Sequence, residues 1–285
     1  MKPKKGGKNT VLKLGFQNRM GLSDYFCKKL AMAVREWYKD WFNSPFYHKL
    51  YFERDEAEAR AFILKLLDLI KPEAGSLMLD VACGRGRHSK FLAAQGFDVT
   101  GIDISFDSIA FAKQFENEHL HFFQHDMRLP AWINYFDYAF NFFTSFGYFA
   151  TRREHDDAVS TIVKGLKPSG KLLFDYLNVH YVEEHLVHNE IKTIDTTQYE
   201  IHRWMDETHF FKKITVTDSS LDHTYTYTEK VAKLSLGDFT DMLSFQGMQV
   251  IDVFGDYELG HYDVRKTPRM IVVARKSPPF SNEKR

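Results

Sequence analysis

The chain has 285 residues, 44% of them apolar and 15% aromatic, enough for one large α/β domain with a substantial insert or for two domains. Its 38 basic side chains balance 38 acidic ones, which excludes recognition of nucleic acid or an anionic membrane by overall charge alone. Two cysteines, Cys27 and Cys83, make neither a disulfide framework nor a zinc quartet, and no stretch reaches the roughly 18 consecutive apolar residues of a membrane span. The first ten residues, MKPKKGGKNT, carry four lysines and two glycines and little to bury, so residues 1–20 are expected to be a disordered basic tail. They lack the apolar core of a signal peptide, which with the cysteine usage points to the cytoplasm. Residues 22–42, rich in Leu, Met, Trp, Tyr and Phe, read as helical until Pro45 in SPFYHKLYF breaks the pattern. Asp55 and Glu58 then have capping-box spacing, and Ala59, Phe62, Ile63, Leu66, Leu67 and Ile70 follow the i, i+3, i+4 rule of a helix that Pro72 and Gly75 end.

From there strands and helices alternate. SLMLDVAC (76–83), FDVTGIDI (97–104), LHFFQHDM (120–127), FDYAFNFF (136–143) and KLLFDYLN (171–178) read as strands, with helices over 87–95, 106–116 and 153–166. That rhythm predicts an α/β fold with a doubly wound, mostly parallel sheet. After residue 178 it gives way to β-like runs without helices. FKKITV (211–216) leads through a turn at TDSS (217–220) to HTYTYT (223–228), whose alternation puts His223, Tyr225 and Tyr227 on one face and three threonines on the other. Ser235 can cap a helix over 236–246 that Gly247 stops, and QVIDVF (249–254) and RMIVVAR (269–275) add two strands to make seven in the core. The expected division is 21–178 for the N-terminal helices and cofactor-binding core, 179–233 for an antiparallel β insert, 234–276 for the end of the core sheet, and 277–285 for a tail.

DVACGRGRHS (80–89) places Gly84 and Gly86 between the first strand and a helix. A dinucleotide fingerprint wants a third small residue where this chain has Ser89, and the same glycine pair can instead let the backbone pass close to an uncharged ribose. Asp80 weighs against a pyrophosphate, because a carboxylate at the end of the first strand suits a cationic ligand better. Asp103 ends the second strand and can accept hydrogen bonds from both ribose hydroxyls, a device that fixes a ribose and not the cofactor. Asp126 and Met127 end the third strand and suit an adenine, the carboxylate accepting from the exocyclic amine while the methionine covers the ring. All of these sit at strand carboxyl ends near the expected switch point of the sheet.

In order and spacing, LDVACGRGRHS, GFDVTGIDIS, HDMR, FDYAFNFFTSFGYF and LKPSGKLLFDYLN resemble the class I S-adenosylmethionine-dependent methyltransferases. More closely, they resemble the bacterial subgroup with a glycine loop of the CGxGRHS type. The likeness covers roughly residues 45–178, and Cys83, where many methyltransferases carry glycine, is common in this subgroup. It implies a Rossmann-like seven-stranded fold that binds S-adenosyl-L-methionine and releases S-adenosyl-L-homocysteine. It further implies that the backbone from Asp80 through Ala82, Cys83 and Gly84 to Gly86 faces the methionine part. Asp103 would hold the ribose, Ile104 would pack on the adenine, Asp126 with Met127 would read its edge, and Asn141 and Phe142 would lie near the methyl group. The thiol of Cys83, with no thiolate partner evident, reads as packed rather than nucleophilic.

Methyl transfer is an in-line displacement at an activated sulfonium carbon, so the enzyme mainly aligns a nucleophile about 3 Å from the methyl group and excludes water. A general base is needed only for an acceptor protonated at neutral pH. No side chain stands out as catalytic: His88 at a helix start, and His180, His202, His209 and His223 in the insert, all have structural or surface readings, and no metal site is expected. Tyr47, Tyr51, Phe146, Tyr148, Tyr225 and Tyr227 are the candidates for substrate contact, with Phe46, Phe146 and Phe149 equally readable as core. The leading expectation is methyl transfer to a small-molecule acceptor beneath a roof formed by the insert. Methylation of RNA or protein, disfavoured by the neutral charge, and a catalytically silent cofactor-binding protein are the alternatives, with a nicotinamide enzyme further behind. The sequence names neither the acceptor nor the oligomeric state.

Overall fold

The computed structural model describes residues 37–51 and 56–278. Two short helices come first, α1 (Trp37–Phe42) and α2 (Pro45–Tyr51). Pro45 does not only break the preceding pattern; it opens α2, where its fixed φ is already helical and its missing N–H would have no intrahelical acceptor. The next helix, α3 (Glu56–Ile70), turns Ala59, Phe62, Ile63, Leu66 and Ile70 inward as their spacing requires. The basic tail and the Asp55–Glu58 capping box lie outside the described residues and side chains.

The core then runs β1 (Leu77–Val81), α4 (Arg87–Ala94), β2 (Asp98–Asp103), α5 (Phe106–Ala112) with a 3-10 turn at Lys113–Phe115, β3 (Leu120–Gln124), β4 (Phe136–Asn141), α6 (Arg152–Gly165) and β5 (Leu166–Leu177). After it come α7 (Val179–Glu184), β6 (Asn189–Ile194), β7 (Thr197–Met205), β8 (His209–Asp218), β9 (Tyr225–Ala232), α8 (Leu236–Phe245), β10 (Met248–Phe254) and β11 (Arg269–Lys276). Helix α7 corrects the expectation of a helix-free run after residue 178. Its six residues are too few to show a periodic pattern, and Asn178 before it is fastened by its amide to the carbonyls of Asp263 and Thr267. Strand β8 also continues through Thr217 and Asp218, so the turn falls later than TDSS suggests.

Seven strands form one sheet in the order β10-β11-β5-β4-β1-β2-β3, with β1 to β5 parallel and β11 antiparallel to both neighbours. The chain leaves β1 for β2 and β3 on one side and returns to β4 on the other, which puts the switch point between β1 and β4. Alternation along the strands fills two cores. Phe174, Met270, Val272 and Ala274 meet α6 and α8 on one face, while Leu173, Ile271 and Val273 meet α3, α4 and α5 on the other. Thr151 and Ser235 cap α6 and α8 with full capping boxes, satisfying the first N–H groups.

Strands β6 to β9 form a separate antiparallel sheet, as the alternation of the insert predicts. One of its faces carries Tyr199, Ile201, Ile214 and Val216, which bury Trp41 of α1 and Leu50 of α2. The sheet is tied to the core where the Tyr176 hydroxyl donates to the Ala232 carbonyl (2.6 Å) and the Ala232 N–H to the Gly147 carbonyl (2.8 Å). None of the described helices is long and apolar enough to cross a membrane.

Candidate active site

The loop leaving β1 is left-handed at Ala82, Gly84 and Gly86, with φ of 62°, 55° and 76°. The two glycines serve different ends. A Cβ on Gly86 would stand 2.5 Å from the Phe122 ring of β3, so this position permits close packing of loop on sheet. A Cβ on Gly84 would meet nothing within 4 Å, because that residue borders a cavity. Asp103 at the end of β2 joins the elements around it: its Oδ2 accepts the Gly84 N–H (2.9 Å) and its Oδ1 the Ser105 N–H (2.7 Å) at the start of α5. Burial pushes this carboxyl above the usual carboxylate range, partly offset by the bonds from Ser105 and Gly84.

The cavity opens at the carboxyl ends of β1 to β3. Ala82, Gly84, Asp103, Ile104, Asp126 and Met127 line it, as do Tyr47, Tyr51 and Tyr148. Cys83 and Phe142 line an adjoining hollow that runs over the start of α4 past Arg85, Arg87 and Lys90. Burial, with the Asp80 and Asp103 charges behind it, holds the Cys83 thiol well above its ordinary pKa, which makes it a packed residue.

Six of the expected residues line neither space. Asp80 shares the face of β1 with Met78, toward α4, and its Oδ2 accepts the Ser89 hydroxyl at 2.6 Å. Burial raises this carboxyl to about 6 against the pull of the Ser89 hydrogen bond. Gly86 lies beneath the loop against Phe122. Asn141 is fully buried and clamps β4 to β1 through its amide, which donates to the Val81 carbonyl at 3.0 Å. Phe146 is core, packed among Phe149, His155, Phe174 and Phe239. Tyr225 and Tyr227 point from β9 to the helices instead, their rings 5.1 Å from Phe46 and 4.6 Å from Trp41.

Asp126 lines the cavity with its carboxylate already engaged. The Arg128 N–H and Nε donate to Oδ1 and the Nη2 to Oδ2 at 2.6 Å, and Arg128 is held in turn by Glu154 at 2.7 Å. Burial alone would raise Asp126, but these bonds and the Arg128 charge hold it below the usual range. This leaves the carboxylate little capacity to receive an adenine amine.

Several cavity residues escaped sequence reasoning. Phe143 and Ser145 belong to the loop after β4, left-handed at Phe143 and Thr144. Buried Asp175 of β5 holds it, accepting the Phe143 N–H (2.8 Å) and the Tyr257 hydroxyl (3.1 Å) at Oδ2 and Arg269 Nε (2.8 Å) at Oδ1. Tyr38 and Phe42 enter from one face of α1, at helical spacing. Glu229 enters from β9, two residues beyond Tyr227, so continuing that alternation would have found it. Among the described residues, Asp103, Asp126 and Glu229 give the cavity wall three carboxylates, and no Lys or Arg joins them.

A family model described as a methyltransferase domain matches residues 78–170. YqeM of Bacillus subtilis (strain 168), itself only provisionally named a methyltransferase, is 37% identical over 114 residues, 39% of this chain and 46% of that protein. The dTDP-3-amino-3,4,6-trideoxy-alpha-D-glucopyranose N,N-dimethyltransferase of Streptomyces venezuelae is 33% identical over 123 residues, 43% of this chain and 51% of that enzyme. The chain thus spans about half the length of these curated relatives. Among solved structures, an S-adenosylmethionine-dependent methyltransferase from Clostridium acetobutylicum ATCC 824 superposes with a TM-score of 0.70 at 16% identity, covering 81% of this chain and 96% of that one. The seven-stranded sheet is therefore that of the Rossmann-like S-adenosylmethionine-dependent methyltransferase fold.

Proposed function

We propose that this protein binds S-adenosylmethionine in the cavity at the carboxyl ends of β1 to β3 and transfers its methyl group to a small-molecule acceptor. The observation that carries this reading is the Asp103 carboxylate, which links the glycine loop to α5 beside a glycine that keeps the cavity clear. The Asp103 oxygens accept backbone N–H groups from Gly84 and Ser105, and a carboxylate so fixed retains acceptor capacity for a ribose hydroxyl. Among the described residues, the cavity wall carries Asp103, Asp126 and Glu229, which suits a ligand bearing a sulfonium and an ammonium.

In this reading Ile104 and Met127 cover the adenine, and the backbone from Ala82 to Gly84 faces the methionine part. Asp126 acts by fixing its loop through Arg128. Asp80, Gly86 and Asn141 shape the strand ends from behind, and Cys83 and Phe142 wall the adjoining hollow. The loop CGRGRHS supports a kinship with the bacterial Arg-His subgroup. The insert, residues 179–233, caps the acceptor side together with α1 and α2. That the Streptomyces venezuelae relative is named for a small amino-sugar acceptor supports a small-molecule substrate, and a chain with two cysteines suits the reducing cytoplasm.

Calorimetry with S-adenosylmethionine tests the assignment. Asp103→Asn should weaken binding by about 2 kcal/mol, roughly 30-fold, because hydrogen bonds to a charged group are worth about 1.5 to 3 kcal/mol. An unchanged dissociation constant in a folded variant, or tight binding of NADH by the parent protein, would remove the reading. Release of S-adenosylhomocysteine with pooled small-molecule acceptors then reports the transfer itself.

A further inference from the structure

Away from the strand ends, Glu229 is the only carboxylate that the described residues give the cavity wall, which it shares with the rings of Tyr38, Phe42, Tyr47, Tyr51 and Tyr148. It is held by groups from three elements. Its Oε1 accepts the Trp41 indole N–H at 2.7 Å and the Tyr51 hydroxyl at 2.8 Å. Lys212, directly opposite on β8, stands 3.6 Å from Oε2, bonds the Tyr51 hydroxyl with its ammonium and covers the Tyr51 ring at 4.6 Å from its centre. Both donors to the carboxylate therefore converge on one oxygen, and the other faces a cation beyond hydrogen-bond distance. The side chain is 15% exposed, so its charge is poorly screened.

A carboxylate fixed among ring faces is the chemistry that recognises an organic cation. The ring quadrupoles attract an ammonium or alkylammonium group, and the fixed charge adds direction. We propose that Glu229 and the rings of Tyr47 and Tyr148 form the acceptor subsite, and that the acceptor presents a protonated amine to it. This deepens the reading of a methyltransferase by naming its substrate class, and so rests on that reading. A purely structural role for Glu229, a cross-strand ion pair with Lys212, makes a different forecast. In that case neutralising the carboxylate alters stability and leaves cation binding alone.

The probes are choline and its uncharged isostere 3,3-dimethyl-1-butanol, followed by ligand-observed NMR on the full chain saturated with S-adenosylhomocysteine. Calorimetry of S-adenosylhomocysteine is run first, and its failure to bind would count against the cofactor reading rather than against the subsite. Choline should bind at least tenfold more tightly than the isostere. Glu229→Gln, which keeps an acceptor for Trp41 and Tyr51, should weaken choline at least tenfold and leave the S-adenosylhomocysteine affinity within twofold. Lys212→Met, which removes the competing ammonium, should strengthen choline severalfold and covers the case in which the glutamine variant fails to fold. Equal binding of choline and isostere, or choline affinity unchanged in both variants, would overturn the subsite. A tenfold loss of S-adenosylhomocysteine affinity in Glu229→Gln would overturn it too, by giving Glu229 to the cofactor's own ammonium.

Discussion

The strand ends and the aromatic bracket around α1, α2 and β9 both place carboxylates on one cavity, by different means. At the strand ends the backbone does the placing. Asp103 is held by the N–H groups of Gly84 and Ser105, and three left-handed residues bend the loop over it. In the bracket side chains do the placing across long stretches of chain: Glu229 is bonded to Trp41, 188 positions away, and to Tyr51, 178 away. A backbone-built site is sensitive to any residue that changes φ or crowds the loop. A site built from side chains is sensitive to the packing that holds its elements together, and each contact contributes a smaller share.

The largest effect separating the two belongs to Gly86→Ala. A left-handed φ of 76° costs an alanine about 1 kcal/mol, and a Cβ 2.5 Å from Phe122 adds the roughly 1 to 3 kcal/mol of an overpacked core. Unfolding in urea should show a loss of about 2 to 4 kcal/mol. Gly84→Ala should lose only the strain of about 1 kcal/mol, because its Cβ meets no protein atom, and should lose S-adenosylmethionine affinity instead. Equal destabilisation by the two substitutions would end the distinction between a packing glycine and a ligand-facing one.

The strand-end region was legible in the sequence because its signals are local: a glycine pair after an apolar run, and acids at the ends of successive strands. What local reading missed was orientation. Period-two alternation from Met78 sends Asp80 to the helix side of the sheet, so its position at a strand end did not make it a cavity residue. The bracket was only partly legible. The alternation of Tyr225 and Tyr227 was visible, but what they would meet depended on Trp41 and Phe46, nearly two hundred positions earlier, and no periodicity carries that information. Helices α2 and α7, at seven and six residues, are likewise too short for a pattern to announce them.

Asp80 gives the second test, through pH. Its carboxyl sits at about 6 in the folded protein against an ordinary 3.8, so the folded state holds the proton more tightly than the unfolded chain. Stability from this group is greatest below pH 4, declines as pH rises toward 6, and is lower by about 3 kcal/mol once the carboxylate is ionised in both states. Asp80→Asn keeps an acceptor for the Ser89 hydroxyl and carries no charge. It should match the parent near pH 4 and exceed it by about 2 to 3 kcal/mol at pH 8, read from urea midpoints at the two values. Its loss of S-adenosylmethionine affinity should be smaller than that of Asp103→Asn. A loss as large would mean that Asp80 meets the ligand and that the strand end works differently from its geometry.

The smallest effect lies in the bracket, at Tyr227. Its ring is half-buried against Trp41 at 4.6 Å, and its hydroxyl receives the Ser44 hydroxyl at 3.3 Å. Removing the ring in Tyr227→Ala loses part of the roughly 1.5 to 3 kcal/mol of a fully buried large side chain, so global stability should fall by about 1 to 2 kcal/mol. The loss should be local in character, because the ring joins β9 to α1 and takes no part in the two cores of the seven-stranded sheet. Amide exchange in α1 and α2 should quicken while the amides of β1, β4 and β5 keep their protection. S-adenosylmethionine affinity should stay within twofold, since Asp103 and the glycine loop are held by contacts of their own. Tyr227→Phe, which loses only one long hydrogen bond, should lie within about 0.5 to 1 kcal/mol of the parent. If Tyr227→Ala instead loosens the core strands or weakens S-adenosylmethionine binding as much as Asp103→Asn does, then the bracket and the strand ends form one cooperative unit, and neither can be tuned separately from the other.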